Sequence, residues 1–182
     1  MINVIALIGP AGSGKDTILK TALEKIPQLH RVVSYTTRPK REGEIEGREY
    51  KFISLEDFEQ KLLNQELIEA NVFNGWGYGT SLDCFNKDKT NIMITAPSGL
   101  ELLLQSNELR VFPCFVRVTD KTRLIRQLKR EEHPDIDEIM RRYKTDKEDF
   151  YCLSFSYRSL PNEDRTDLKE SIKDLRALVK SI

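Results

Sequence analysis

Three cysteines, two histidines and one tryptophan in 182 residues leave little material for several common chemistries. Cys84, Cys114 and Cys152 stand far apart, without the paired spacing that zinc sites and disulfide frameworks require. Each reads as a small buried hydrophobe in a reducing compartment, which places the chain in the cytoplasm. Charge of one sign is missing too. Lys and Arg total 29 and Asp and Glu total 29, so no global field recruits nucleic acid or an anionic membrane. Any anion must be held by local arginines. No apolar run is long enough to span a bilayer, and the one at the N-terminus lacks the basic flank of a signal peptide. With no repeat, linker or low-complexity tract, one domain over residues 1–182 is the simplest organisation.

What is present starts with the apolar run Val4, Ile5, Ala6, Leu7, Ile8, which reads as a buried strand. Gly9-Pro10-Ala11-Gly12-Ser13-Gly14-Lys15-Asp16-Thr17 follows directly. A strand, a glycine-rich turn, a lysine and a helix together cradle nucleotide phosphates. The glycines let N–H groups turn inward, and the helix N-terminus favours an anion. Lys15 supplies a mobile cation for the outer phosphates and Thr17 a hydroxyl near them. The usual pattern has Ser or Thr directly after the lysine, where Asp16 stands here. A tight glycine turn that binds nothing is the competing explanation. The strand before it and the amphipathic run Ile18, Leu19, Ala22, Leu23, Ile26 after it speak against that.

Short apolar runs at 4–8, 92–94 and 115–118 read as central strands buried on both faces, alternating with helical stretches. That pattern predicts an α/β fold with a mostly parallel central sheet and helices on both faces. Ser54 with Asp57 three residues on predicts a helix start ahead of Phe58, Leu62 and Leu63. Ala96-Pro97-Ser98-Gly99 predicts a turn into a helix through Leu100, Leu103 and Leu104. A last helix is expected from near Thr166, burying Leu168, Ile172, Leu175 and Leu178. Two segments interrupt this core of 1–30, 82–119 and 151–182. Residues 31–81 hold strand-like pieces at 31–37, 50–53 and 67–73, a small mixed insertion. Residues 120–150 are polar and rich in arginine (Arg123, Arg126, Arg130, Arg141, Arg142) around His133-Pro134, as expected of a helical lid that excludes water.

Inside the insertion, Ser34-Tyr35-Thr36-Thr37-Arg38-Pro39-Lys40-Arg41 sets two arginines three apart, with Gly43-Glu44 and Tyr50 beyond. A planar guanidinium binds two phosphate oxygens at once, so Arg38, Arg41 and a tyrosine hydroxyl suit a monophosphate. Glu69, followed by Gly75-Trp76-Gly77-Tyr78-Gly79-Thr80-Ser81, adds a carboxylate, a phenol and hydroxyls. A carboxylate accepting from adjacent ring N–H and amino donors selects guanine over adenine, because the wrong base leaves buried groups unpaired.

At these residues the chain resembles the guanylate kinase family, nearly end to end. The phosphate loop, the 34–50 stretch, Tyr78-Gly79-Thr80-Ser81, the polar lid and a late Asn162-Glu163-Asp164 carry the likeness. The resemblance implies a P-loop kinase fold and transfer of the ATP γ-phosphate to GMP or dGMP, with Mg²⁺ and no covalent enzyme intermediate. It implies small-molecule nucleotides as the partners of a monomer or homodimer. It assigns catalysis to Lys15, Arg38, Arg130 and Arg142. ATP binding falls to Gly9, Ala11, Gly12, Ser13, Gly14, Lys15, Asp16, Thr17, Arg126 and Asn162. Ser34, Glu69 and Thr80 are implied at the guanine; Arg38, Arg41, Glu44, Tyr50, Tyr78 and Gly79 complete the acceptor set.

One family feature differs. The Leu-Asp-Ile-Asp run after the insertion corresponds here to Ile92-Met93-Ile94-Thr95-Ala96-Pro97-Ser98-Gly99, with neither aspartate. Asp16 is then the expected metal carboxylate, with Glu44 second. Ribose 1,5-bisphosphate phosphokinase is similar in its Gly-Lys-Asp loop and in lacking those aspartates, but has no use for Glu69 as a guanine ligand. A broader deoxynucleotide kinase stays open, as does a non-catalytic module that binds phosphorylated peptides. Intact Gly14 and Lys15 speak against the module.

Overall fold

The computed structural model describes residues 1–73, 75–130 and 132–182. In chain order the elements are β1 (Ile2–Ile8), α1 (Lys15–Lys25), β2 (Leu29–Arg31), β3 (Tyr35–Thr36), β4 (Lys51–Phe52), α2 (Leu55–Leu63), β5 (Leu67–Phe73) and β6 (Trp76–Ser81). Then come β7 (Thr90–Ile94), α3 (Pro97–Gln105), β8 (Leu109–Arg117), α4 (Asp120–Leu128), α5 (Ile136–Asp149), β9 (Arg158–Pro161) and α6 (Arg165–Ser181). β1 lies at the centre of a five-stranded sheet of order β2-β7-β1-β8-β9. All its pairings are parallel. This is the α/β architecture that the alternating runs predict.

The two-residue period of β1 divides the core. Ile5 and Leu7 face Ile18, Leu19 and Ala22 of α1 and Ile172 and Leu175 of α6. Val4, Ala6 and Ile8 point to the opposite face, where Leu100 and Leu103 of α3 lie. Each fully buried Leu or Ile contributes about 1.5–3 kcal/mol relative to exposure, so both layers are needed to hold the sheet. Capping follows the sequence closely. Ser54 Oγ accepts from Asp57 N–H at 3.0 Å to start α2, and Asp164 accepts from Thr166 and Asp167 N–H to start α6.

A second, four-stranded sheet of order β4-β3-β6-β5 forms the insertion. β3 runs parallel to β4 and antiparallel to β6, so the sheet is mixed. Phe58 of α2 packs on it through bare glycine surface. A Cβ on Gly77 would lie 2.8 Å from the Phe58 ring, and one on Gly79 would lie 2.8 Å from Leu67 Cδ1.

Three sequence expectations change. The piece at 31–37 is two strands in two sheets, because Leu29 to Arg31 pairs with β7 while Tyr35 and Thr36 pair with β6. The central strand expected at 115–118 begins at Leu109. Pro113 masks its first half, since proline argues against a strand interior. It is tolerated one residue before β9 starts pairing, at Cys114. Cys84 and Cys114 are buried as expected, with burial pushing the Cys114 thiol up to about 12, whereas Cys152 is exposed. Among the described residues no helix is long and apolar enough to cross a membrane.

Candidate active site

The turn from β1 into α1 is built on left-handed glycines. Gly12 has φ 78° and Gly14 φ 88°, a region where a Cβ is strained. Space enforces the same choice, because a Cβ on Gly12 would collide with the Arg123 carbonyl and one on Gly14 with the Asn162 amide. Asn162 Nδ2 donates to Ser13 O at 2.8 Å. Arg126 donates to Ser13 O at 3.3 Å and to Asn162 O at 2.7 Å. The loop is thus clamped from β9 and α4. Lys15 folds back over it, Nζ donating to Gly9 O at 2.5 Å and Pro10 O at 3.1 Å. Burial lowers the Lys15 pKa, opposed by the charges of Asp146 and Asp16 and reinforced by Arg123. Asp16 and Thr17 are exposed at the start of α1.

The lid already touches this loop. Ala11 N–H donates to Asp146 Oδ2 at 2.9 Å, so a carboxylate from α5 occupies one of the loop's amides. Arg123 reaches the same oxygen at 2.8 Å and Asp120 Oδ1 at 2.9 Å. It is only 2% exposed, stacked 4.3 Å over the Tyr143 ring. Sequence reasoning missed both Arg123 and Asp146 as site residues. The Asp120/Arg123 spacing was visible, but Asp146 lies on another helix. Of the expected lid arginines, Arg130 is exposed, away from any partner among the described residues. Arg142 donates to Glu138 Oε1 at 2.6 Å and lies 5.7 Å over the Phe73 ring at the tip of the β5–β6 hairpin.

In the insertion, Arg38 is 8% exposed, and its Nη2 donates to Glu44 at 2.7 and 3.0 Å. The guanidinium lies 5.7 Å over the Tyr50 ring, and Tyr50 meets Tyr78 edge to face with centroids 5.7 Å apart. The hydrogen bond from Arg38 holds the Glu44 carboxyl below its ordinary value and raises that of Arg38 in return. Burial raises the Tyr50 phenol. Arg38, Glu44, Tyr50 and Tyr78 therefore form one cluster. Arg41 joins it through its backbone, N–H to Glu44 Oε2 at 2.8 Å, with the side chain exposed.

Glu69, Thr80 and Ser34 form a hydrogen-bonded row. Thr80 Oγ1 donates to Glu69 Oε1 at 2.6 Å and pairs with Ser34 Oγ at 2.7 Å. A register shift between Leu67 and Glu69 sets Glu69 opposite Thr80, the kind of re-aiming that a bulge provides. Glu69 is 7% exposed, and this burial raises its pKa against the pull of the Thr80 hydroxyl. Gly79 supplies space under this row rather than a polar group.

Among the described residues no group of three or more His, Cys, Asp or Glu side chains surrounds a metal-sized space. Mg²⁺ needs less than that, since it keeps several waters and takes one or two carboxylates beside substrate phosphates. Exposed Asp16, next to Lys15, meets the requirement. Glu44 is committed to Arg38, and Asp146 to Ala11 and Arg123.

Comparison with known proteins identifies the family. The family described as guanylate kinase matches residues 1–182. Guanylate kinase from Chlorobium luteolum is 46% identical over 80 residues, 44% of this chain and 41% of that protein. That from Gloeobacter violaceus is 46% identical over 78 residues, 43% of this chain and 38% of its own length. These matches thus span less than half of the relatives' length. The crystal structure of guanylate kinase from Anaplasma phagocytophilum superposes with a TM-score of 0.68 at 23% identity, covering 99% of this chain and 85% of that one. At that identity the likeness concerns the fold. With the family match running over every residue from 1 to 182, the chain belongs to the guanylate kinase family.

Proposed function

We propose that the chain transfers the γ-phosphate of ATP to a guanine nucleoside monophosphate, GMP or dGMP, giving ADP and the diphosphate. The observation that carries this reading is the pairing of a phosphate loop with a separate guanidinium–tyrosine cluster whose neighbour is a buried carboxylate. The donor phosphates fit the 9–17 loop, where backbone N–H groups and Lys15 face an anion. The acceptor phosphate fits Arg38, Tyr50 and Tyr78, replacing the Glu44 carboxylate that Arg38 now holds. Glu69 takes the ring N–H and amino donors of guanine, with Thr80 and Ser34 beside it.

Phosphoryl transfer asks little covalent chemistry of a protein. Placement of donor and acceptor in line, with fixed cations against the developing charge, supplies the rate. Here Lys15 and Arg38 are those cations, and the α4–α5 lid excludes water. Asp16 would hold Mg²⁺, which would supply neutralising charge at the donor phosphates. The units that do this are a core of 1–30, 82–119 and 151–182, an acceptor insertion of 31–81 and a lid of 120–150. A reducing cytoplasm suits the three free thiols.

A panel tests the reading: ADP release from ATP with GMP, dGMP, AMP, dTMP or ribose 1,5-bisphosphate as acceptor. Turnover with a guanine nucleotide exceeding that with the others by at least about 100-fold is expected, from hydrogen-bond discrimination at Glu69. Preference for ribose 1,5-bisphosphate would overturn it.

A further inference from the structure

One face of α5 touches both the glycine loop and the four-stranded sheet. Glu138, Arg142 and Asp146 recur every four residues and so line one side of the helix. Asp146 is fixed at the loop, where Ala11 N–H donates to it at 2.9 Å. One turn earlier, about 6 Å along the axis, Arg142 lies 5.7 Å over the Phe73 ring at the end of β5. That is within reach of a cation–π contact.

Strand register puts Phe73 on the acceptor side of its sheet. From Glu69 onward β5 pairs regularly with β6: Glu69 opposite Thr80, Asn71 opposite Tyr78, Phe73 opposite Trp76. The two-residue period therefore sets Phe73 on the face that carries Glu69, Thr80 and Tyr78. Phe73 is 46% exposed, too open for a core side chain. Arg142 is only half spent. Its Nε donates to Glu138 Oε1 at 2.6 Å, while neither Nη atom has a hydrogen-bond partner among the described residues. The guanidinium is thus aimed by a carboxylate and a ring, with two amino groups left to donate.

We propose that Phe73 is a positioning residue for phosphoryl transfer, seating the Arg142 guanidinium between donor and acceptor phosphates. The inference rests on the phosphoryl-transfer reading above, but on no contact to the base. Phe73 has no part in the residue set that the family resemblance implies. A cation displaced by about 1 Å costs up to about 100-fold in rate, because the reaction depends on placement.

The test is kcat and KM, for ATP and for whichever acceptor of the panel turns over best. The variants are Phe73→Leu, Phe73→Tyr, Arg142→Ala and Phe73→Leu/Arg142→Ala. Leucine keeps apolar bulk without a ring face, and tyrosine keeps the face. Phe73→Leu is expected to lower kcat by about tenfold with both KM values within about twofold of wild type. Phe73→Tyr should stay within about threefold of the wild-type kcat. With Arg142 already removed, Phe73→Leu should cost less than about twofold more. Unmoved KM values also show that the variants are folded. Wild-type kcat in Phe73→Leu, equal losses in the Leu and Tyr variants, or losses that multiply in the double variant would overturn the proposal and leave the kinase reading standing. So would a raised acceptor KM alone, which would make the ring part of the acceptor pocket. Preference for a non-guanine acceptor would sink the guanine reading and leave this proposal to the same variants; no turnover with any acceptor would sink both.

Discussion

Ser13 Oγ is buried without a hydrogen-bond partner among the described residues, inside the loop that matters most. Its backbone works, through Asn162 and Arg126 on the carbonyl, but its hydroxyl does not. An unpaired buried hydroxyl costs about 1–3 kcal/mol. Ser13→Ala should therefore unfold at the same temperature as the wild type or a few degrees above it. A clear fall in the calorimetric midpoint would show that the hydroxyl has a partner. Glu69 carries a pH dependence of known sign. Burial raises its folded pKa, so the folded state holds the proton more tightly than the unfolded one. This group's contribution to stability accordingly declines as pH rises through that window. For binding the direction reverses, because the protonated carboxyl loses an acceptor for guanine. KM for GMP should climb as pH falls through the raised pKa, at a higher pH than for an exposed glutamate. Glu69→Gln should show a high KM with no such limb, and a wild-type KM flat into the carboxylate range would contradict the role.

One carboxylate bridges the glycine loop and both helices of the 120–150 segment. Asp146 ties α5 to Ala11 of the loop and to Arg123 of α4, and Arg123 has almost no access to solvent. Asp146→Ala leaves that guanidinium with Asp120 alone and should cost about 1–3 kcal/mol. Limited proteolysis of residues 120–150 would report it as faster cleavage at an unchanged core; wild-type resistance would mean that the contact holds nothing. The sequence conveyed some elements far better than others. β1, the loop and the capped α2 and α6 were legible because each is specified by local signals: a buried run, glycines, and a side-chain oxygen three residues from an N–H. The Ser34, Glu69 and Thr80 row was legible through a familiar motif. The division of 31–37 between two sheets was not, since pairing partners lie about 40 and 60 residues downstream. Nor was the packing of the arginines in 120–150. Helix phase and the partners on α5 decide that Arg123 turns inward while Arg130 stays exposed, and neither is a local property.

At the scale of the molecule, a parallel sheet delivers the loop at the C-terminal end of β1. A mixed sheet inserted after β2 carries the Arg38 cluster, and two polar helices cover the loop. Two internal carboxylates sit at these places, Asp146 on the loop amide and Glu44 on Arg38. The central claim is that donor and acceptor phosphates occupy these two positions at once, facing each other across one cleft. Calorimetric titration with a compound joining adenosine to guanosine through five phosphates tests this directly. Linking two bound halves raises affinity by about 100-fold or more when both sites are engaged together. The account predicts binding that much tighter than ATP or GMP alone, lost in either Lys15→Ala or Arg38→Ala. Affinity no better than that of ATP, insensitive to Arg38→Ala, would contradict it.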